Sequence, residues 1–276
     1  MRQLFLFYYG RNNMSTFDVI LSGDGIYGIM IMLGVVGAGL WGVCAAKRFV
    51  GMNSDNVILI MAYAVGFGMF GAKLLYILVN IRLVDWSRVT EPEYFMGWIS
   101  GGFVFYGGLI GGAASLLLVH LIHRIHTVKY MEIMIPGLPF AHGMGRIGCH
   151  LAGCCYGIPH EGWPHIIYHN NLYAPNDIPL FPVQLTEACA CFVLAFVLAV
   201  FVLRHMKPTP KTIYLYAYSY GILRFIIEFF RYDSTARGIY GWLSTSQWIS
   251  LIIILIVTLV IIINKRFNAV PAKAAD

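Results

Sequence analysis

The run His142-Gly143-Met144-Gly145-Arg146-Ile147-Gly148-Cys149-His150-Leu151-Ala152-Gly153-Cys154-Cys155-Tyr156-Gly157 places a guanidinium, that of Arg146, in a stretch otherwise apolar enough to cross a bilayer. A charge at mid-membrane costs about 2.5–3.5 kcal/mol on insertion scales, so such a residue faces a polar cavity and has a function there. The small residues beside it, Gly143, Gly145 and Gly148, allow another helix or a lipid head group to come close.

The rest of the chain agrees with a membrane setting. Of 276 residues, 59% are hydrophobic and 12% charged, with a mean hydropathy of +0.71. Soluble domains carry about 25% charged residues, so this is an integral membrane protein. A net charge of +6 and a pI near 9.0 do not indicate nucleic acid, because Lys and Arg are scattered through short loops and form no stripe. Windows of about 20 apolar residues predict an all-α protein of seven transmembrane helices, near 26–46, 57–80, 97–121, 131–153, 181–204, 213–231 and 242–264, in one polytopic domain spanning 1–276.

Basic residues orient the spans. Lys47, Arg48, Arg124, Lys129, Arg204, Lys207, Lys211, Lys265, Arg266 and Lys273 fall on the side of the C-terminus, against Arg2, Arg11, Arg82, Arg88, Arg231 and Arg237 on the other. The positive-inside rule then puts the C-terminus in the cytoplasm and the N-terminus outside. The aromatic and polar stretch Met1–Ser22 lacks a small-residue cleavage site, so no signal peptide is expected. The 154–180 connection has no Lys or Arg but several prolines and aromatics. It reads as an outward-facing cap, with a plain loop as the alternative.

Three basic residues remain inside spans: Lys73, Arg146 and Arg224. Lys73 can snorkel to the interface on its four-carbon stem or join a site. Arg224 and Glu228 are spaced i, i+4 and can pair on one helix. Arg146 has no carboxylate within four residues, so its partner comes from elsewhere: Glu187, Glu228 or a bound anion. Two guanidiniums converging in an apolar space suit a phosphate, and in a membrane the obvious phosphate is a lipid head group. The same cations would stabilise charge building on a phosphate leaving group.

Gly145-Arg146-Ile147-Gly148 followed by Gly153, with Phe105-Tyr106-Gly107-Gly108-Leu109-Ile110-Gly111 upstream, resembles the prolipoprotein diacylglyceryl transferase family. Tyr27-Gly28, Gln184-Leu185 with Glu187, Tyr220-Gly221 with Arg224, Glu228 and Arg231, and Gln247 follow in the family's order, so the likeness runs from about 26 to 264. The resemblance implies a seven-helix enzyme of the bacterial inner membrane. Such an enzyme moves the diacylglyceryl group of phosphatidylglycerol to the lipobox cysteine thiol of a prolipoprotein and releases glycerol phosphate. It also implies that Arg146 and Arg224 bind the phosphate region, with Tyr27, Tyr220, Glu228 and Gln184 shaping the site. Lys73, Glu187 and Arg231 join the expected lipid-binding set.

The chain also departs from the family pattern. Tyr106 stands where the family has histidine, Cys149 for asparagine, Cys154 for glutamate, Lys73 for arginine, and Phe181-Pro182-Val183 for His-Pro-Ser. With that histidine replaced, the candidate bases are His142, four residues before Arg146, and Tyr106 itself; His150, four after Arg146, is a weaker one. Cys149, Cys154 and Cys155, at spacings of five and one, do not match paired Cys-x-x-Cys ligands. A disulfide, a covalent acyl or lipid intermediate, a zinc site with His150, or small buried residues at a helix bend all remain open for them. The expected set is no cofactor and no metal, a phosphatidylglycerol donor, a thiol acceptor and no nucleic acid. The alternatives are a non-catalytic phospholipid-binding protein, a transferase with another acceptor, a thiol redox protein and a transporter.

Overall fold

The computed structural model describes residues 23–205, 210–232 and 238–269. The expectation for Met1–Ser22 and the loop charges Arg2, Arg11, Lys207, Arg237 and Lys273 lie outside the described residues, as do the side chains of Lys265 and Arg266. The described chain is helical apart from two short hairpins and connecting turns, as an all-α membrane protein requires. Five helices are long and apolar enough to cross a bilayer: Gly25–Arg48, Ser54–Val79, Tyr106–His123, Val183–Arg204 and Thr245–Asn264. Between 11% and 39% of each apolar window is buried within the protein, and the remaining surface carries Leu, Ile, Val and Phe. In water such surface would be an aggregation liability; in hydrocarbon it meets a solvent of its own kind. This is a multi-pass membrane protein.

The chain forms two compact units. The first is Gly42–Met131. Helix α1, Gly23–Arg48, ends in it, followed by α2 (Ser54–Val79), α3 (Pro92–Ser100) and α4 (Phe105–His123). The Asn53 side chain caps α2 by accepting from the Asp55 N–H at 2.8 Å. Helices α2 and α4 pack backbone to backbone, because a Cβ at Gly71 would run into the carbonyl oxygen of Gly107, and one at Gly107 into that of Gly71. The expectation of one span over 97–121 is corrected here. Gly101 and Gly102 interrupt it, leaving the separate helix α3 and a start for α4 at Phe105.

The second unit takes α1 up to Trp41 and the chain from Glu132 onward. Helix α5, Thr127–Met134, ends before Pro136, and α6 runs Gly137–Ala152. The expected continuous span over 131–153 is therefore two helices. Proline disfavours helix in the residue before it and cannot donate to the ladder, so the turn opens at Ile135-Pro136. Trp41 Nε1 donates to the Ile133 carbonyl at 2.9 Å, and α6 lies close on α1, where a Cβ at Gly137 would meet Ala38. Helices α7 (Val183–Arg204), α8 (Lys211–Ile227) and α9 (Thr245–Ala269) complete the unit, α7 packing on α6 and α8, and α8 on α9. The span expected over 213–231 leaves α-helix at Ile227 and tightens into a 3-10 turn, Glu228–Phe230. That over 242–264 begins as a helix only at Thr245, after strands β3 (Ile239–Tyr240) and β4 (Leu243–Ser244).

The 154–180 connection is an ordered cap and not a plain loop. Strands β1 (Ile166–Ile167) and β2 (Pro179–Leu180) pair antiparallel within it. Asn171 organises its far end, accepting from the backbone N–H of Tyr173 at 2.8 Å and of Ala174 at 2.9 Å while donating to the Ala152 carbonyl at 3.2 Å. These bonds meet backbone groups that a chain reversal would otherwise leave unpaired.

Candidate active site

The polar centre of the second unit is built where α6, α7 and α8 face one another. Arg146 on α6 brings its Nε to 3.0 Å from Glu187 Oε2 on α7. Arg224 on α8 places Nη1 at 3.9 Å from the same oxygen. Two guanidiniums from different helices thus meet at one carboxylate, itself 1% exposed. Arg224 reaches further, with Nη2 at 2.7 Å from Glu228 Oε2 and 3.1 Å from Ser246 Oγ. Arg231 Nη1 lies 3.5 Å from that Glu228 oxygen. The i, i+4 spacing of Arg224 and Glu228 produces a real pair, but the pair is one edge of a network and does not stand alone.

Among the described residues, the ion pairs of this network join three guanidiniums, of Arg146, Arg224 and Arg231, to two carboxylates, of Glu187 and Glu228. Arg146 Nε and Arg224 Nη1 make these charge contacts without a well-aligned hydrogen bond among the described residues. Buried guanidiniums with unfilled donors are chemistry that welcomes an anion.

His142, one turn before Arg146, presents Nε2 at 3.5 Å from Glu187 Oε1 and 3.4 Å from the Tyr220 hydroxyl. The Tyr220 hydroxyl donates to Glu187 Oε1 at 3.4 Å, and its ring tilts against the imidazole with centroids 4.9 Å apart. Glu187 is therefore the hub touched by His142, Arg146, Tyr220 and Arg224. Tyr27 lies along α6 from α1, close enough that a Cβ at Gly148 would meet its ring.

Gln184 and His150 act on the cap. Gln184 Nε2 donates to the Cys154 carbonyl at 2.9 Å and reaches the Tyr168 hydroxyl at 3.4 Å. Tyr168 in turn donates to the His150 carbonyl at 3.1 Å and sits 3.0 Å from His150 Nδ1. Burial pushes the Tyr168 phenol up to about 12, so it stays protonated and able to donate. All six cysteines carry free thiols, and the Sγ atoms of Cys149, Cys154 and Cys155 lie within 4.8 Å of one another.

Lys73 and Tyr106 belong to the first unit. Lys73 donates to the carbonyls of Gly101, Gly102 (3.0 Å) and Trp98 (3.4 Å) and lies 4.3 Å from the Phe103 ring centroid. Its ammonium is thus met by three backbone carbonyls of the chain around Gly101. Tyr106 stands in the first turn of α4 and is 38% exposed. Ser246 was not anticipated from sequence, although the cluster Ser244-Thr245-Ser246 at the head of an apolar helix was an available signal. Tyr168 is legible in the sequence only as one of the aromatics of the 154–180 cap, with no sign of its bonds to His150 and Gln184.

The family model described as prolipoprotein diacylglyceryl transferase matches residues 25–263. The chain belongs to that family. It is 37% identical over 230 residues to a phosphatidylglycerol--prolipoprotein diacylglyceryl transferase of Clostridium tetani (strain Massachusetts / E88), covering 83% of this chain and 89% of the relative. A second relative of that name, numbered 2, from Clostridium perfringens (strain 13 / Type A) is 36% identical over 246 residues, covering 87% and 90%. A third, from Lactococcus lactis subsp. lactis (strain IL1403), is 29% identical over 250 residues, covering 88% and 90%. The family match spans both units, and the Arg146, Glu187 and Arg224 hub falls inside it.

Proposed function

We infer that this chain transfers the diacylglyceryl group of phosphatidylglycerol to the cysteine thiol of a prolipoprotein and releases glycerol phosphate. The observation that carries the reading is the meeting of Arg146 and Arg224, from different helices, at the one buried carboxylate of Glu187. The lipid phosphate lies against the two guanidiniums. The thiolate attacks the glyceryl carbon, the carbon–oxygen bond to phosphate breaks, and the electron pair moves onto the phosphate oxygen. Charge grows there and the guanidiniums hold it, which is how preorganised cations lower such a barrier. Tyr220 and His142 flank the hub, and His142 is the candidate base on this side. Tyr27 lines the lipid path, while Gln184 holds the cap and Arg231 lies beside Glu228. Tyr106 and Lys73 stay in the reading as lipid-facing groups of the first unit.

The setting is a bacterial cytoplasmic membrane with the chain as one polytopic domain of seven crossings, N-terminus outside, cap outward and C-terminus in the cytoplasm. The two additional crossings are α5 with α6, and α8 with its 3-10 extension. At about 1.5 Å per residue, α6 or α8 alone covers roughly 25 Å of a core about 30 Å thick, and the added segment supplies the remainder. The excess of Lys and Arg on the C-terminal side supports the orientation.

Purified protein with labelled phosphatidylglycerol and a lipobox peptide tests the function. Thioether-linked peptide and glycerol phosphate are expected in equal amounts, both lost with Arg146→Ala. Bound phospholipid without turnover would assign the chain to non-catalytic lipid binding. Glycerol phosphate release only with another thiol would change the acceptor.

A further inference from the structure

The end of α6 is folded so that three thiols converge. Cys149 lies in the last helical turn; the Gly153 N–H bonds the His150 carbonyl and the Cys154 N–H the Cys149 carbonyl, each at 3.1 Å. Gly153 has φ +78, in the left-handed region, and Cys155 follows with φ +57, a conformation that L side chains rarely adopt. The reversal is held from outside by Gln184 on the Cys154 carbonyl and Asn171 on the Ala152 carbonyl. The backbone is thus built to return Cys154 and Cys155 onto Cys149, with all three sulfurs inside 4.8 Å and none in a disulfide.

Three sulfurs bound to one zinc-sized ion at about 2.3 Å sit roughly 4 Å apart, so the cluster needs only a small contraction to hold one. Three protein ligands with a fourth position open is the arrangement of catalytic zinc, whereas structural zinc is closed by four. Three thiolates on a dication leave one net negative charge. Arg146, one turn before Cys149, and Arg231 both lie within electrostatic range of Cys155 and favour negative charge there.

We propose that Cys149, Cys154 and Cys155 bind one thiophilic divalent cation, zinc by preference, whose fourth position takes the acceptor thiol beside Arg146. Metal-bound thiols are deprotonated outright, so coordination makes the nucleophile without a strong base. The acceptor S–H proton goes to water as the sulfur binds. The sulfur pair then forms the bond to the glyceryl carbon, and the phosphate oxygen leaves with the pair of the broken carbon–oxygen bond. The acceptor role rests on the transferase reading above; the metal site does not.

The test uses full-length protein, reduced, equilibrated with zinc chloride and desalted. About one zinc per chain is expected by elemental analysis, falling at least fivefold in Cys155→Ala and in Cys149→Ala. It should be unchanged in Cys44→Ala, which keeps the count specific. Cadmium in place of zinc should give a sulfur-to-metal charge-transfer band that is lost in the same two variants. No zinc retained by the reduced protein, retention unaffected by those substitutions, or a mass deficit of two hydrogens showing a disulfide between these cysteines would each overturn the site. Stripping zinc should slow peptide modification at least tenfold, with zinc restoring it. Full activity in stripped protein would overturn the acceptor role. Zinc retained without transfer to any thiol would instead refute the transferase reading and leave the metal site standing.

Discussion

Both units hold a cation within an otherwise apolar helix, and they meet it with different groups. In the first, Lys73 is met by three backbone carbonyls and two aromatic rings, with no carboxylate among its described partners. In the second, Arg146, Arg224 and Arg231 share two carboxylates, with donors of Arg146 and Arg224 left unfilled. Carbonyl dipoles satisfy an ammonium locally and use up its three donors. Shared carboxylates hold planar guanidiniums in register and leave donors for something else. The first arrangement fits positioning of the chain around Gly101 and Gly102, and the second fits an anion that comes and goes.

The strongest way to break this contrast is through Arg146. Arg146→Ala should lower the transfer rate about 10³-fold, since removing one preorganised donor to developing charge costs about 10²–10³. Arg146→Lys should recover only a small part of it, because a point charge lacks the planar fork. The measurement is glycerol phosphate release at saturating lipid. If lysine restores full activity, recognition is by charge alone and the geometry at Glu187 is incidental.

Glu187 sharpens the comparison through stability. Removing one partner of a buried ion pair costs about 3–5 kcal/mol. Glu187→Ala strips the shared carboxylate from two arginines, so its thermal midpoint in detergent should fall by an amount in that class. Adding an anionic phospholipid should return part of the loss, because the lipid phosphate then substitutes for the carboxylate. A neutral lipid should not.

The first unit answers to packing. Gly107→Val drives side-chain atoms into the Gly71 carbonyl across the α2–α4 contact and should cost about 1–3 kcal/mol of overpacking strain, read as a lowered unfolding midpoint. Lys73→Met leaves three carbonyls without their donor while keeping the stem's volume, and should cost about 1–2 kcal/mol. Its effect should be insensitive to added anionic lipid, unlike that of Glu187→Ala. A lipid-dependent effect at Lys73 would make it a second anion site.

How much of this was legible follows from what each feature depends on. Helices α7 and α9 could be read because an unbroken apolar run in lipid has only one way to satisfy its backbone. The break at Ile135-Pro136 was missed because a 20-residue hydropathy window averages over a single proline. Arg224 and Glu228 were legible as a pair because i, i+4 is local, but Glu187 as the common partner of Arg146 and Arg224 depends on three helices docking. The closeness of Cys154 and Cys155 to Cys149 depends on left-handed backbone at Gly153 and Cys155; a cysteine there gives no such hint.

The smallest effect concerns an ion pair in water. Arg88 and Glu91, with side chains 44% and 51% exposed, pair at 2.9 Å in the loop before α3. The hydrogen bond from Arg88 holds the Glu91 carboxyl below its ordinary value, and Ser87 does the same for Asp85 through its hydroxyl and backbone N–H. A carboxyl lowered in the folded state adds stability above its unfolded value, and that stability is lost as pH falls through the folded one. Acidification below the usual carboxylate range should therefore loosen residues 80–92, seen as faster backbone hydrogen exchange relative to the intrinsic rate at each pH. Salt should reproduce part of the loosening, and Glu91→Gln should remove the part due to the pair. The buried network around Glu187 should be indifferent to the same salt, because screening ions do not enter it. Equal salt sensitivity at both places would mean that water reaches Glu187, and the guanidiniums there would then be too well screened to select a phosphate.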